Sequence, residues 1–598
     1  MPNMPNMTSL STSQIPDEHQ RISRPNIDEL ERPIDNPAIK TLLYPQESLP
    51  PIRHLPVETL SWIFILSVFS RDVDEWKKCR RHPMVFMISH VCRQWRTISL
   101  QCPELWSNLF PDSGVGTWSI SYTRALLERS KQFPLTIVIK TREHRHHYSR
   151  YYELLVLALK HAERARVLHL DDHYGEDVAA KIVKRLSVIS APHLESFRFG
   201  LSRSLDIKHP LFQGSGVQKL RHLGLRYHGL ESLPPLPSQL MTLDLDSPRT
   251  RITASEMLSV LSKLPYLEII SLCNCLLPES PPIDHPIRFN HLTSVSIADA
   301  VSNCVVMMEN LIHTHSIKVS IKRLDRGVIP DWHQVNCLFE TIGTPLNFQG
   351  DPGYLPLRTL SVKLTIPDRC VQGWVEVQHN PPRADVSPYL DIGLPAIPAK
   401  YTFHRRSNSW ILRSCKLLQL RDVQVLHVSS EPFLPPESWL FAFEGAIQVH
   451  RLEIDQPGAL GGFLKAVLTE NEECGPDKLF PALKMMFIRQ VDFDRKYRIS
   501  DGVSSTLDVA LLDFLKQRDS EGSRLEFLWM ETCHFLPDEV FLVLLEHVDN
   551  AFWEGHDVRE LGRGFYPEPI QRIPDSDEDY DSDQDWEDGW GEGLEGDE

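Results

Sequence analysis

Three histidines lie close together in one short stretch of the sequence, and clustered histidines are common metal ligands. His144, His146 and His147 are near enough to share a cation, but the same stretch, residues 142–150, also contains three arginines. A metal site needs neutral imidazoles in a fixed geometry, and neighbouring arginines repel a cation. We therefore interpret this stretch as a solvated loop and predict no metal site in it.

Cys273 and Cys275 form the one closely spaced cysteine pair among eleven cysteines. A zinc site of the finger type needs a second pair at a suitable spacing, and the sequence has none. We interpret the pair as structural. The other cysteines are scattered singly, which favours reduced thiols and a location in the cytoplasm or the nucleus.

The sequence from Gly591 to Gly596 matches the phosphate-binding pattern G-x-G-x-x-G. It follows no strand, opens no helix and lies among acidic residues that repel phosphate, so we regard the match as a coincidence. The chain has no Walker loop, no H-E-x-x-H motif and no G-x-S-x-G motif. Residues far apart in sequence can still meet as a triad in space, but no motif argues for catalysis. We expect a non-catalytic protein without catalytic residues, metal or cofactor.

The first elements that could position a binding surface lie within residues 55–106. Pro56 suits the start of a helix because its φ is already helical, and Glu58 suits the first turn because the helix dipole favours negative charge there. Apolar residues then recur at the spacing i, i+3, i+4. These residues are Leu60, Ile63 and Phe64.

A second apolar stripe follows at helical spacing. It consists of Met84, Met87, Ile88, Val91 and Trp95. Two amphipathic helices this short bury little apolar area by themselves. We therefore expect them to pack together and to need a partner surface.

Three blocks of this stretch, in order, carry a resemblance to a known family. L-P-x-E-x-L-x-x-I-F at 55–64, V-C-R-x-W-R at 91–96 and P-x-L-W at 103–106 resemble the F-box of mushroom-forming fungi. The resemblance implies a helical bundle that binds the Skp-type adaptor of a cullin–RING ubiquitin ligase. A charged insertion at residues 67–83 departs from the shorter animal pattern. The alternative interpretation is an ordinary helical hairpin with a buried tryptophan.

The resemblance also implies roles for individual residues. The implied adaptor-binding residues are Leu55, Pro56, Glu58, Leu60, Ile63 and Phe64. The residues implied to form the core or edge of the F-box are Val91, Cys92, Trp95, Leu105 and Trp106.

A different pattern, apolar-x-x-apolar-x-apolar, recurs beyond residue 110. Five consecutive copies begin 20 to 27 residues apart, close to the period of leucine-rich repeats. They start at Leu194, Leu220, Leu240, Leu267 and Leu292. Helical patterns separate them, so we predict an α/β fold with a parallel sheet in a degenerate leucine-rich-repeat solenoid.

Two copies match the longer repeat motif with its asparagine or cysteine position, which Cys275 and Cys533 occupy. Later copies start at Leu357, Val423, Val449 and Leu483, and their spacing is wider. The stretch from about 343 to 410 holds nine prolines. We predict an insertion there, a loop with a β-hairpin, and a place to look for partner contacts.

Charge divides the chain into a nearly balanced body and an acidic tail. The net charge is −17, and residues 575–598 hold 13 Asp and Glu with no Lys or Arg, which leaves −4 for the rest. We therefore expect no nucleic-acid partner. No run of 18 apolar residues exists to span a membrane, and the polar first 20 residues do not resemble a secretory signal.

The tail contains candidate modification and docking residues. Ser576 and Ser582 each precede acidic residues, which suits an acidophilic kinase. Trp586, Trp590 and Tyr580 are unusual in a purely solvating tail, so one hypothesis is that they dock the tail on a basic surface, either of a partner or of this protein's own solenoid. The other is a disordered, solubilising tail.

We predict four regions: a flexible arm (1–50), an F-box domain (51–110), a leucine-rich-repeat-like domain (111–560) and an acidic disordered tail (561–598). The expected function is that of the substrate-recognition subunit of a Skp–cullin–F-box ubiquitin ligase. The F-box would bind the adaptor, and through it a cullin, while the repeats bind an unknown substrate protein. The alternative is a leucine-rich-repeat scaffold without a ligase role.

Overall fold

The computed structural model of the chain describes part of its sequence. The described residues are 52, 55–69, 84–109, 120–140, 148–171, 176–200, 207, 210–213, 217–277, 286–313, 317–322, 332–346, 356–365, 369–378, 386–394, 404–418, 420–473, 479–494, 496–500, 503–534 and 536–554. The predicted N-terminal arm, the acidic tail, the three clustered histidines and most of the 67–83 insertion lie outside them. The chain divides into two compact units, Met1–Leu105 and Trp106–Glu598.

The first unit contains three described helices. They are α1 (Val57–Phe69), α2 (Met84–Val91) and α3 (Arg93–Gln101), and a 3₁₀ turn (Pro103–Trp106) crosses the boundary to the second unit. α1 begins directly after Pro56, whose carbonyl accepts a hydrogen bond from the Leu60 amide at 3.0 Å. All three helices pack against one another. The rings of Phe64 and Trp95 join α1 to α3 at a centroid distance of 4.7 Å.

The second unit is mixed α/β, as predicted. Its described helices are α4 (Ile120–Arg129), α5 (Tyr148–Leu159), α6 (Glu176–Leu186), α7 (Ala254–Leu261), α8 (Val301–Asn310), α9 (Trp332–Leu346), α10 (His404–Ser414), α11 (Pro436–Phe443), α12 (Pro457–Glu473), α13 (Leu507–Ser520) and α14 (Asp538–Glu546). Its described strands are β1 (Asn108–Leu109), β2 (Leu135–Lys140), β3 (Ala165–Asp171), β4 (Ser196–Gly200), β5 (His222–Arg226), β6 (Thr242–Asp246), β7 (Ile269–Cys273), β8 (Ile287–Phe289), β9 (Ser294–Ala298), β10 (Leu311–His313), β11 (Lys318–Lys322), β12 (Thr359–Leu364), β13 (Arg369–Trp374), β14 (Leu390–Leu394), β15 (Val425–Ser429), β16 (Arg451–Asp455), β17 (Met485–Arg489), β18 (Lys496–Ser500), β19 (Val503–Thr506), β20 (Phe527–Glu531) and β21 (Ala551–Trp553).

Seventeen of the described strands form one sheet. Their order is β1–β2–β3–β4–β5–β6–β7–β9–β11–β14–β13–β12–β15–β16–β17–β20–β21. Every pairing is parallel except the two made by β13. The prediction of a parallel sheet is therefore confirmed for the described residues.

The parallel register aligns one buried side chain from each strand into a continuous row. This apolar row consists of Ile139, Leu170, Phe199, Leu225, Leu245, Leu272, Ile297, Ile321, Ile392, Val371, Val362, Val428, Ile454, Ile488, Met530 and Trp553. None of its members is more than 5% exposed. Phe541 of α14 contacts Trp553 at 5.4 Å, so the row faces the helices and forms the core.

The same backbone conformation recurs in the turns that follow several strands. Six strands are followed by a residue with positive φ, which a side chain other than glycine adopts at a cost. These residues are Tyr227, Ser247, Asn274, Gln456, Gln490 and Thr532. In the first five, the backbone N–H donates to the last carbonyl of the next strand in the sheet, for example Asn274 to Ala298 at 2.7 Å. The chain therefore turns in the same way after strands that lie far apart in sequence.

Cys275 and Cys533 occupy equivalent places in these turns. The Cys275 Sγ donates to the Leu245 carbonyl at 3.1 Å, and the Cys533 Sγ donates to the Ile488 carbonyl at 3.5 Å. Both acceptors lie on the preceding strand of the sheet. Burial raises the pKa of Cys533 to about 11, which keeps its thiol protonated as a donor. All nine cysteines within the described residues are free thiols.

The segment predicted as a loop with a β-hairpin contributes three strands to the sheet. β12, β13 and β14 form an antiparallel meander, and β14 pairs with β11 while β12 pairs with β15. The meander thus reverses the strand order locally, yet both of its outer strands keep the common direction. Its described strands continue the sheet between β11 and β15.

Candidate functional site

The first unit exposes a set of large apolar side chains. On α1 the most exposed are Trp62 at 63% and Leu66 at 60%, spaced i and i+4, and on α2 the most exposed is Val91 at 60%. Val57, Ile63 and Met87 are also exposed. Exposed apolar side chains that share one side of a helix are candidates for a protein interaction site. We call Trp62, Ile63, Leu66, Met87 and Val91 the apolar helix surface.

The residues implied to bind an adaptor differ in exposure. Pro56 and Glu58 are exposed, Leu55 is half-buried, and Ile63 is 37% exposed. Leu60 and Phe64 are buried in the core. In this structure both side chains belong to the core of the first unit and offer no surface to a partner. The spacing i, i+3, i+4 does not include Trp62 and Leu66, so the sequence gives no signal for their exposure.

The residues implied to form the F-box core or edge also separate. Trp95 is half-buried against Phe64, and the half-buried Cys92 caps α3 by accepting from the Trp95 amide at 3.5 Å. Leu105 is buried, whereas Val91 is exposed. Trp106 lies in the second unit, where the Arg129 guanidinium carbon is 4.4 Å from its ring centroid.

The second unit carries a row of polar and aromatic side chains across its sheet. Successive residues of a strand point to opposite faces. The strand residue next to each member of the apolar row therefore faces away from the core. This transverse row consists of Val138, His169, Arg198, Gly224, Asp244, Ser271, Ser296, Ser320, Asp391, Gln372, Ser361, His427, Glu453, Phe487, Trp529 and Phe552. Its character changes from small and polar in the middle to charged and then aromatic toward β21.

A serine, a histidine and an aspartate form a hydrogen-bonded chain within this face. The Ser361 Oγ is 2.8 Å from His427 Nδ1, and His427 Nε2 is 2.7 Å from Asp455 Oδ2. A carboxylate only accepts, so Nε2 carries a proton, and in a neutral imidazole Nδ1 accepts from Ser361. Three adjacent strands contribute these residues, and no local motif in the sequence predicts their meeting.

The geometry of these hydrogen-bonded side chains argues for a structural role. Ser361 has no exposed surface and His427 is 5% exposed, so no substrate can approach the serine hydroxyl. Burial by itself raises the pKa of Asp455, but the hydrogen bond from His427 and the charge of Arg489 outweigh this effect, and the net shift is downward. The aspartate is therefore held in its charged form, which orients the imidazole.

A buried ion-pair network adjoins the hydrogen-bonded chain. Glu453, 2% exposed, lies 2.8 Å from Arg451 on one side and 2.8 Å from Arg489 on the other. Arg489 also contacts Glu531 at 3.0 Å. Burial lowers the pKa of Arg489, but its hydrogen bond to Glu453 and the surrounding carboxylates raise it overall. Neighbouring strands are thus linked by paired charges across the sheet face.

An aromatic cluster ends the transverse row. Trp529 lies 4.1 Å from Phe552 and 5.9 Å from Phe527, and Phe487 lies 5.9 Å from Phe527, measured between ring centroids. All four rings are half-buried, and the Arg451 guanidinium lies over Phe487 at 4.0 Å. Half-exposed aromatic rings beside arginine are typical of protein interaction hot spots.

The described part of the chain ends at Glu554. There, no group of three or more His, Cys, Asp and Glu side chains is arranged to hold a metal ion. Nor do the described residues include a helix long and apolar enough to cross a membrane. Ser576 and Ser582, the candidate phosphorylation sites, lie beyond residue 554 and so outside the described residues.

Comparison with known proteins gives no further assignment. Neither the family models nor the curated proteins include a match to this chain. The candidate sites are therefore the apolar helix surface of the first unit and the transverse row of the second.

Proposed function

We propose that this protein is the substrate-recognition subunit of a Skp–cullin–F-box ubiquitin ligase. The apolar helix surface binds the Skp-type adaptor, and the second unit binds the substrate protein. The observation that carries the proposal is the exposure of Trp62 and Leu66 on a helix that begins within the F-box-like block 55–64. A helix that leaves such side chains in water is suited to a permanent protein partner.

We further propose that the second unit is a degenerate leucine-rich-repeat solenoid. Three features support this: the parallel strands, the recurring left-handed residue after them, and the equivalent thiol hydrogen bonds of Cys275 and Cys533. Such repeats turn one face of their sheet away from the helices, and here the transverse row lies on that face, with Ser361, His427 and Glu453 buried and the aromatic rings at its end half-buried. The aromatic cluster at its end provides the anchors that a substrate protein would contact.

In this proposal the protein performs no chemical step itself. It holds the substrate and the ligase on one chain, so the substrate meets the charged ubiquitin carrier at a high effective concentration. The lysine of the substrate and the carrier thioester supply the reacting groups. The contribution of this chain is binding and placement.

The adaptor-binding role is tested with the double variant Trp62→Ala/Leu66→Ala in the full chain. A hot-spot aromatic residue such as Trp62 contributes about 2 kcal/mol or more, so we expect adaptor affinity to fall by about 30-fold or more. The matched control is Tyr266→Ala, which removes an exposed aromatic ring from the second unit. Calorimetry with purified adaptor measures both.

Adaptor affinity that is equal in wild type and double variant would refute the assigned surface. Adaptor binding without co-purification of a cullin would favour the scaffold without a ligase role. The Leu55→Ala/Pro56→Ala variant gives a second test, because both residues precede α1 at its exposed end. We expect it also to lose the adaptor.

A further inference from the structure

A cluster of cations and aromatic rings is exposed on α10, α11 and the 3₁₀ turn Cys415–Leu418 that follows α10. Trp410 and Phe441 are 40% and 42% exposed. The Arg413 guanidinium carbon is 4.7 Å from the Phe441 ring centroid and 5.9 Å from that of Trp410. The Lys416 Nζ is 4.4 Å from the Phe441 centroid. We call Trp410, Arg413, Lys416 and Phe441 the cation–aromatic surface.

Contacts between the two helices hold this surface in shape. α10 packs along α11, and the hydroxyls of Ser409 and Ser438 hydrogen-bond between them. Lys416 Nζ is fixed 2.6 Å from the Glu444 carboxylate at the end of α11. A surface held in this way binds a partner at a smaller entropic cost than mobile side chains do.

One of the two cations of the cation–aromatic surface is not paired with a carboxylate among the described residues. Within the described residues, Arg413 forms no ion pair with a carboxylate, whereas Lys416 pairs with Glu444. The Arg413 guanidinium is therefore available to a carboxylate from another segment, and its planar face can stack on an aromatic ring.

The acidic tail of the same chain has the complementary chemistry. Residues 575–598 carry 13 Asp and Glu and no Lys or Arg, and they include Tyr580, Trp586 and Trp590. Carboxylates pair with guanidinium groups through charge-assisted hydrogen bonds, and indole is the best ring for cation–π contact. Both kinds of group occur in this one segment.

The tail is long enough to reach the surface. It follows β21, which is four strands from β15 in the sheet, a distance of about 19 Å at about 4.8 Å per strand. α10 precedes β15 in the chain and α11 follows it. Twenty residues separate Glu554 from Asp575, and a random coil of that length has an r.m.s. span of about 25 Å. The acidic segment can therefore reach α10 and α11 within one chain.

We propose that residues 575–598 bind the cation–aromatic surface of the same chain. The carboxylates pair with Arg413 and Lys416, and an indole ring stacks against Arg413 and Trp410. Phosphate on Ser576 and Ser582 adds negative charge and strengthens the contact. The proposal does not depend on the ligase function, because every group involved belongs to this chain.

Zero-length carbodiimide cross-linking of the full chain tests the proposal, because it joins a lysine amine to a carboxylate in contact with it. No Lys or Arg follows Arg572, so trypsin releases the tail as one peptide, 573–598. We expect this peptide cross-linked to Lys416. The Lys416–Glu444 cross-link, whose partners are 2.6 Å apart, is the internal reference.

Two variants should lower the ratio of tail to Glu444 cross-links at Lys416 by about 5-fold or more. They are Arg413→Gln and Trp586→Ala/Trp590→Ala. The control Lys184→Gln/Arg185→Gln removes two cations from α6, which exposes no large aromatic ring among its described side chains, and should leave the ratio unchanged. Raising the salt concentration should lower the ratio in the wild type, because the pairs are solvent-exposed.

Three results would overturn the proposal. One is tail cross-links spread equally over Lys416, Lys184 and Lys263. Another is a ratio that both variants leave unchanged. The third concerns the occupant: mixing isotope-labelled and unlabelled chains distinguishes contacts within a chain from those between chains, and mixed pairs alone would assign the surface to the tail of a second copy.

Discussion

Phe64 of α1 and Trp95 of α3 lie with their ring centroids 4.7 Å apart and join the two helices. Phe64 is 1% exposed, whereas Trp62, two residues earlier on the same helix, is 63% exposed. α1 therefore carries one aromatic ring that is buried and stabilises the unit, and a second that is exposed to solvent.

Phe64→Ala should destabilise the first unit by about 3 to 5 kcal/mol, because a buried ring is lost and a cavity remains. Leu66→Ala, the matched control, removes a 60% exposed side chain and should change stability by less than about 0.5 kcal/mol. Hydrogen exchange of the α1 and α3 amides measures both. Equal protection in the two variants would contradict the assignment of Phe64 to the core.

The ion pairs of the sheet should differ in energy according to their burial. Glu453→Gln leaves the buried Arg451 without its carboxylate partner and removes one of the carboxylates that pair with Arg489, so it should cost about 3 to 5 kcal/mol. Glu526→Gln breaks the Lys484–Glu526 pair, whose side chains are more than half exposed, and should cost less than about 1 kcal/mol. Urea unfolding compares the two. If the two variants lost the same unfolding free energy, solvent would have to screen the Glu453 network as it screens the Lys484–Glu526 pair.

Asp455 should make stability depend on pH in the acidic range. Its folded pKa is lowered, so its contribution is present above the unfolded value of about 3.9 and is lost as the pH falls through the folded pKa. The variant Asp455→Asn lacks this contribution. The difference in unfolding free energy between wild type and variant should be largest above about pH 5 and shrink below about pH 4.

Urea titrations from pH 3 to 7 measure this difference. Ser361→Ala is the control. It removes the uncharged serine hydroxyl that hydrogen-bonds to His427 and leaves the Asp455–His427 contact at 2.7 Å. Its effect on stability should not follow the titration of Asp455. A difference between wild type and Asp455→Asn that grows toward acid would reverse the sign and contradict the argument.

Much of the second unit was predictable from the sequence, because its core repeats in the simplest way. Apolar residues three and five positions after Leu194, Leu220, Leu240, Leu267 and Leu292 all lie on strands of the sheet. A β-hairpin is predicted within residues 343–410, but the position of β13 is not, because its residues Arg369–Trp374 contain few apolar positions. Its place is fixed by pairing with β12 and β14, and that pairing is long-range.

The candidate sites were less predictable, for two physical reasons. The transverse row exists only through register, so Ser361, His427 and Asp455 meet although 66 and 28 residues separate them. On α1, apolar side chains occur on every face, so the spacing of Leu60, Ile63 and Phe64 did not reveal which face is buried. Packing against α2 and α3 decides it, and Ile63 remains on the exposed side.

Glycines in the helix layer give a last prediction that opposes local propensity. Replacing glycine by alanine inside a helix usually adds about 1 kcal/mol of stability. At Gly462 of α12, however, a Cβ would lie 2.2 Å from the Leu434 carbonyl oxygen and 3.0 Å from Trp439 Nε1. A backbone oxygen cannot move away without shifting its own turn, so Gly462→Ala should destabilise the protein by about 1 to 3 kcal/mol.

Gly445→Ala is the matched control for this prediction. Gly445 follows α11, and a Cβ there would meet no atom within 4 Å. The alanine should therefore be neutral or stabilise by up to about 1 kcal/mol, because it restricts the unfolded chain. The urea midpoint of Gly462→Ala should fall, and that of Gly445→Ala should rise or stay unchanged. If Gly462→Ala raised the midpoint, α12 would have to lie farther from Leu434 than this structure places it.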